Sequence, residues 1–236
     1  MLPTRILAAT LLLVACSSRS APSEGSAAAA AVVGEPGTLP ALDRFEAEIA
    51  RFEASDRTSP PAPGGIVFVG SSSIRLWTSL ASDFPALPVL NRGFGGSTLQ
   101  EVNHYLPRVV LPYRPRMIVL YAGDNDIASG RAPQRVAEDY RAFVRLVRRS
   151  LPAARIVYIS VKPSPSRWAL NEQGRETNRL VRVITATDPL QTFVDVFSPM
   201  LGSNGRPRAE LFVADSLHMT PTGYVVWRNR LTPIVR

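Results

Sequence analysis

Short apolar runs alternate along this chain with longer segments of helical period. Leu42, Phe45, Ile49 and Phe52 recur every three or four residues, which predicts a helix over residues 42–54. The Pro- and Gly-rich stretch 60–65 ends it. Residues 66–69 are continuously apolar, as in a strand buried on both faces. Residues 88–90, 116–121, 155–161 and 192–196 predict four more strands. Among the intervening segments, residues 133–151 form an amphipathic helix with Val136, Tyr140, Phe143, Val144 and Val147 on its apolar side. Residues 171–186 read as another helix. Residues 220–231 close the chain as a helix, with Thr220 at the cap and Pro221 at the first position. Strands that alternate with helices predict an α/β protein, its parallel sheet covered on both faces.

In such sheets ligands bind beyond the carboxyl ends of the strands, where the strand order switches. Ser72 follows the first predicted strand, Gly96 the second and Asn125 the third. With the first strand between the other two, these three residues share one rim.

The first 40 residues do not fit this pattern. Residues 1–15 have one positive charge, Arg5, and an apolar run from Ile6 that is too short for a crossing of roughly 20 residues. The run ends Leu13-Val14-Ala15-Cys16, which resembles a bacterial lipoprotein signal with Cys16 as the lipidated residue. Cys16 is the only cysteine, so it has no disulfide partner and no neighbours for a metal site. Residues 16–40, rich in Ser, Ala, Gly and Pro, predict a flexible tether. Ser17 stands where an inner-membrane retention signal would carry Asp, which favours the outer membrane with the domain in the periplasm. Residues 41–236 remain, enough for one domain with a sizeable core.

The net charge of +8 is almost wholly arginine, since Lys162 is the only lysine. The arginines are scattered, as a GC-rich genome would leave them, and no basic stretch is interleaved with aromatics. Nucleic acid is therefore not expected as a partner.

Four segments carry candidate chemistry: Gly70-Ser71-Ser72-Ser73, Gly93-Phe94-Gly95-Gly96-Ser97, Gly123-Asp124-Asn125-Asp126 and Asp215-Ser216-Leu217-His218. Taken alone, the serine triplet either caps a helix or exposes a nucleophile at a strand-to-helix turn. The chain has only two histidines, His104 and His218. His218 lies three residues after Asp215, a spacing that lets the carboxylate hold Nδ1–H and leaves Nε2 to accept a serine proton. His104 follows Glu101 at the same spacing, but in a predicted helix, where an exposed side-chain pair is expected. Gly95 and Gly96 allow close backbone approach, and Asn125 offers an amide NH₂. Each also fits ordinary turn chemistry, which is the role expected of Asp124 and Asp126.

Together the blocks resemble the SGNH, or GDSL-like, hydrolase superfamily, in a layout similar to the catalytic subunits of platelet-activating-factor acetylhydrolase. The resemblance implies a three-layer α/β/α sandwich around a flavodoxin-like, five-stranded parallel sheet. It implies Ser72 as nucleophile, Asp215 and His218 as its triad partners, and an oxyanion hole of Ser72, Gly96 and Asn125. Ser71 departs from the family's usual acid before the nucleophile. The activity implied is cleavage of carboxylic esters, of short acyl groups such as acetyl on a carbohydrate or lipid. The alternatives are transfer of an acetyl group to a sugar hydroxyl, or a lysophospholipase or thioesterase. No metal or organic cofactor is expected. Residues 163–168 are the candidate pocket wall.

Overall fold

The computed structural model describes residues 42–236; the predicted signal segment, Cys16 and the tether lie outside the described residues. Five strands run β1 (Ile66–Gly70), β2 (Val89–Gly93), β3 (Met117–Tyr121), β4 (Arg155–Ile159) and β5 (Gln191–Val194). The helices are α1 (Glu46–Thr58), α2 (Ser72–Arg75), α3 (Leu80–Asp83), α4 (Leu99–Val109), α5 (Asp124–Ala128), α6 (Pro133–Ser150), α7 (Asn171–Thr185) and α8 (Pro221–Leu231). Every strand pair is parallel, in the order β2-β1-β3-β4-β5. β1 therefore lies between β2 and β3, as the shared rim requires.

The two-residue period of the strands sorts the core into two layers. Val67, Val69, Ile118, Leu120, Ile156 and Tyr158 face one cluster with Ile49, Leu106, Phe143 and Val181, from α1, α4, α6 and α7. Ile66, Phe68, Met117, Val119, Val157 and Ile159 face the other, with Ile74, Leu80 and Trp227 from α2, α3 and α8. That is the expected three-layer sandwich. α8 begins as predicted: the Thr220 side chain accepts from the Gly223 N–H, and Pro221 follows.

The strand predicted at residues 88–90 instead runs to Gly93. Its polar half is hidden from a hydrophobicity pattern because each side chain has a specific partner. The Asn91 amide donates to the Ile74 carbonyl at 2.7 Å. Arg92 is buried, pairs with Asp56 and donates to the Tyr113 hydroxyl at 2.7 Å. The expected Glu101–His104 pair does not form. Glu101 is buried in a capping box, where it accepts from the Thr98 N–H at 2.8 Å and pairs with Arg44. His104 is exposed and lies edge-on to Tyr105.

Candidate active site

Gly70 is where β1 turns into α2. Its φ of +133° lies outside the usual range of L side chains, and a Cβ there would fall 1.9 Å from the Tyr121 carbonyl oxygen. β1 can pass this close to β3 only with glycine. Ser71 then sits at the cap of α2 without a side-chain capping bond, and Ser72 opens the helix. Below it, Ile74 and Trp77 are buried, and Trp77 packs against Phe68, Phe84, Tyr224 and Trp227. The Tyr224 hydroxyl also donates to the Ser73 carbonyl at 3.0 Å. This aromatic cluster fixes the turn that carries Ser72.

The Ser72 hydroxyl lies 2.9 Å from His218 Nε2, and His218 Nδ1 lies 2.5 Å from Asp215 Oδ2. With an ionised Asp215, Nδ1–H is the donor and Nε2 is free to accept. The Asp215–His218 segment is a tight turn: Asp215 Oδ1 accepts from the Leu217 and His218 N–H groups, both at 2.9 Å. Burial pushes the Asp215 carboxyl up, but these two N–H groups and the imidazole outweigh it and hold its pKa at about 2. Ser216 is held in the left-handed region at φ +58°. Its carbonyl is fixed by the Ser166 N–H at 3.1 Å and the Ser166 hydroxyl at 3.0 Å.

The glycine segment after β2 is held by α1 and the turn before it. Arg44 donates to the Gly96 carbonyl at 3.0 Å, and the Gly95 N–H reaches the Glu48 carboxylate at 3.3 Å. Gly96 has φ +69°, with open space where a side chain would stand. Asn125, after β3, donates from its amide to the Ser97 carbonyl at 3.0 Å and accepts from Arg167 at 3.0 Å. The structure thus brings Ser72, Gly96, Asn125, Asp215 and His218 to one rim.

The acids beside Asn125 do more than shape a turn. Asp126 is buried and accepts from the Leu99 N–H at 3.0 Å, so it caps α4 rather than its own helix. Burial raises its pKa to about 7, against the pull of that N–H and of Arg131. Asp124 pairs with Lys162 at 3.1 Å and Arg167 at 2.7 Å. Burial opposes its charge, but the two cations prevail and hold its pKa at about 2. Burial lowers the Lys162 pKa in turn, with Asp124 opposing.

Of the expected pocket wall, residues 163–168, Pro163, Ser164, Arg167 and Trp168 line a small cavity with Asp124, Asn171 and Phe197. The segment also ties the Asp215–His218 turn to Asn125. Sequence reasoning missed Arg44, Glu48 and Lys162 here, and took Arg167 only as part of the pocket wall. Their partners lie far away in the chain, and none belongs to a motif; only the singular lysine was a signal. Among the described residues, no group of three or more His, Cys, Asp or Glu side chains could hold a metal ion.

Residues 67–226 match the GDSL-like lipase/acylhydrolase family. The chain belongs to this family. As a GDSL-like acylhydrolase it is a hydrolase acting on ester bonds. It is 30% identical over 195 residues to platelet-activating factor acetylhydrolase IB subunit alpha1 of Bos taurus, covering 79% of this chain and 77% of the relative. A GDSL-like lipase from Bacteroides thetaiotaomicron shares the fold with a TM-score of 0.67 at 19% identity, over 80% of this chain and 97% of that one. A catalytic mutant of an acetylxylan esterase from Geobacillus stearothermophilus does so with a TM-score of 0.60 at 13% identity, over 74% and 95%.

Proposed function

We propose that this acylhydrolase cleaves short acyl esters, such as acetyl esters of a carbohydrate or lipid, through an acyl-serine at Ser72. The observation that carries the reading is the unbroken relay from Asp215 through His218 to Ser72, at 2.5 and 2.9 Å. Ser72 Oγ attacks the ester carbonyl carbon as its proton passes to His218 Nε2. The negative charge on the former carbonyl oxygen meets the N–H groups of Ser72 and Gly96 and the Asn125 amide. When the intermediate collapses, His218 returns the proton to the departing alcohol. Water then repeats the sequence and frees the acid. Asp215 keeps the imidazole in the required tautomer throughout. In the Geobacillus esterase, replacement of a serine and of a histidine each gives a catalytic mutant, which supports the same pair here.

Openness supports short acyl groups. The Asp215 and His218 side chains are 46% and 28% exposed. The cavity lined by Asp124, Ile127, Arg167 and Phe197 has room for about one water. An open, polar rim accommodates a bulky alcohol such as a sugar chain more readily than a fatty acyl chain. A panel of p-nitrophenyl esters tests this: kcat/KM falls from acetyl to octanoyl, and added sugar acceptor leaves free acetate as the product. A preference for octanoyl overturns the short-acyl reading. Acetylated sugar as the main product makes the chain a transferase.

The same reading extends to location. Cys16 carries the lipid, the tether spans from it to the domain, and the anchor holds the enzyme at the envelope, facing the periplasm. Several acyl chains suffice for stable anchoring, and among the described residues no helix is long and apolar enough to cross a membrane. The full chain then sediments with membranes, and Cys16→Ser appears in the soluble fraction or stays unprocessed. A chain lacking its first 38 residues keeps Arg44 and Glu48 against the glycine segment and is soluble and fully active. A truncated domain that still sediments with membranes overturns the anchor and points to the arginine-rich surface.

A further inference from the structure

We propose that Arg167 is a positioning residue that fixes which way round the Asn125 amide stands, and so keeps an N–H facing the reacting oxygen. This rests on the donor role given to Asn125 above. The two orientations of an asparagine amide have nearly the same shape, but one presents donors and the other an acceptor. An acceptor facing the oxyanion would repel it. The choice is therefore a matter of what faces each end. Arg167 Nη2 donates to Asn125 Oδ1 at 3.0 Å. A flipped amide would turn its NH₂ against the guanidinium, donor to donor. In the observed orientation one N–H is taken by the Ser97 carbonyl at 3.0 Å, and the second remains for the substrate.

Arg167 is itself held. Its Nη1 lies 2.7 Å from Asp124 Oδ1, while Lys162 Nζ takes Asp124 Oδ2 at 3.1 Å. Exposure falls inward along this chain of charges, from 22% for the Arg167 side chain to 10% for Asp124 and 1% for Lys162. Arg167 thus uses one arm of its fork on Asp124 and the other on Asn125. A lysine is a single point charge and cannot hold both in this geometry. The turn that carries Arg167, Pro165–Leu170, is pinned through Ser166 to the Ser216 carbonyl beside His218. One loop therefore sets the donor and braces the base.

A double-mutant cycle between Arg167→Met and Asn125→Ala, read on p-nitrophenyl acetate, tests the assignment. Asn125→Ala alone lowers kcat by about 10²–10³-fold. Arg167→Met alone lowers kcat by about 10–100-fold with KM within about threefold, and in the Asn125→Ala background it costs less than about threefold. Arg167→Lys stays within about threefold of Arg167→Met. If Arg167→Met does not fold, as judged by thermal unfolding, Arg167→Lys replaces it in the cycle. Full additivity, full rescue by lysine, or an effect on KM alone overturns the role of Arg167 while leaving Asn125 as a donor. An unchanged kcat in Asn125→Ala removes the donor role itself, and the Arg167 proposal with it.

Discussion

Ser72→Ala lowers hydrolysis of p-nitrophenyl acetate by about 10⁶-fold, the scale on which loss of a nucleophile acts elsewhere. Only the Ser72 hydroxyl faces the base, at 2.9 Å from His218 Nε2. Its neighbours cannot take over: Ser71 and Ser73 are 2% and 3% exposed. A fluorophosphonate probe therefore labels the wild-type domain at Ser72 and leaves the alanine variant unlabelled. Labelling that persists in that variant, or moves to Ser71 or Ser73, rejects the assignment. The change removes one partly exposed oxygen and no packing, so the melting temperature stays close to wild type.

The second large effect belongs to the base. His218→Ala lowers turnover by about as much as Ser72→Ala, because a serine hydroxyl is unreactive without an acceptor for its proton. Asp215→Asn costs about 10⁴-fold with the fold intact, since an amide donating to Nδ1 selects the wrong tautomer. His104→Ala changes turnover little: its ring is exposed against Tyr105, on a helix whose Glu101 is already engaged elsewhere. A crippled His104→Ala enzyme would overturn the relay. The pH dependence follows in sign from Asp215. Its carboxyl is depressed to about 2 in the folded protein, from a reference of 3.8. Its contribution is fully present above the reference value and is lost only as pH falls through about 2. The Asp215 carboxyl, followed by NMR, therefore does not titrate above pH 4; a titration there contradicts an ionised Asp215.

The sheet, its layers and the five rim residues were legible because each leaves a local mark. β1 and β3 are continuously apolar, and the site blocks stand where strands end. β2 was read short because Asn91 and Arg92 are polar residues satisfied by Ile74, Asp56 and Tyr113. Periodicity records apolar burial, and a buried arginine with a distant partner looks like surface. The Glu101–His104 pair was misread for a related reason. Spacing alone offered Glu101 a neighbour on its own helix, while Thr98 and Arg44 offered it stronger donors. The supports of the site, Arg44, Glu48 and Arg167, make their contacts across 42 to 52 positions of chain, beyond any motif. Asp124 was read as a turn residue because its two cations arrive from the loop after β4.

The burial of Lys162 reaches beyond the site. It is the chain's only lysine and is buried, paired to Asp124. The described surface thus presents no primary side-chain amine. An activated ester or anhydride offered to the truncated domain meets the terminal amine and the serine at the rim, with no lysine competing. A resin that couples through amines then binds the truncated domain by one end only.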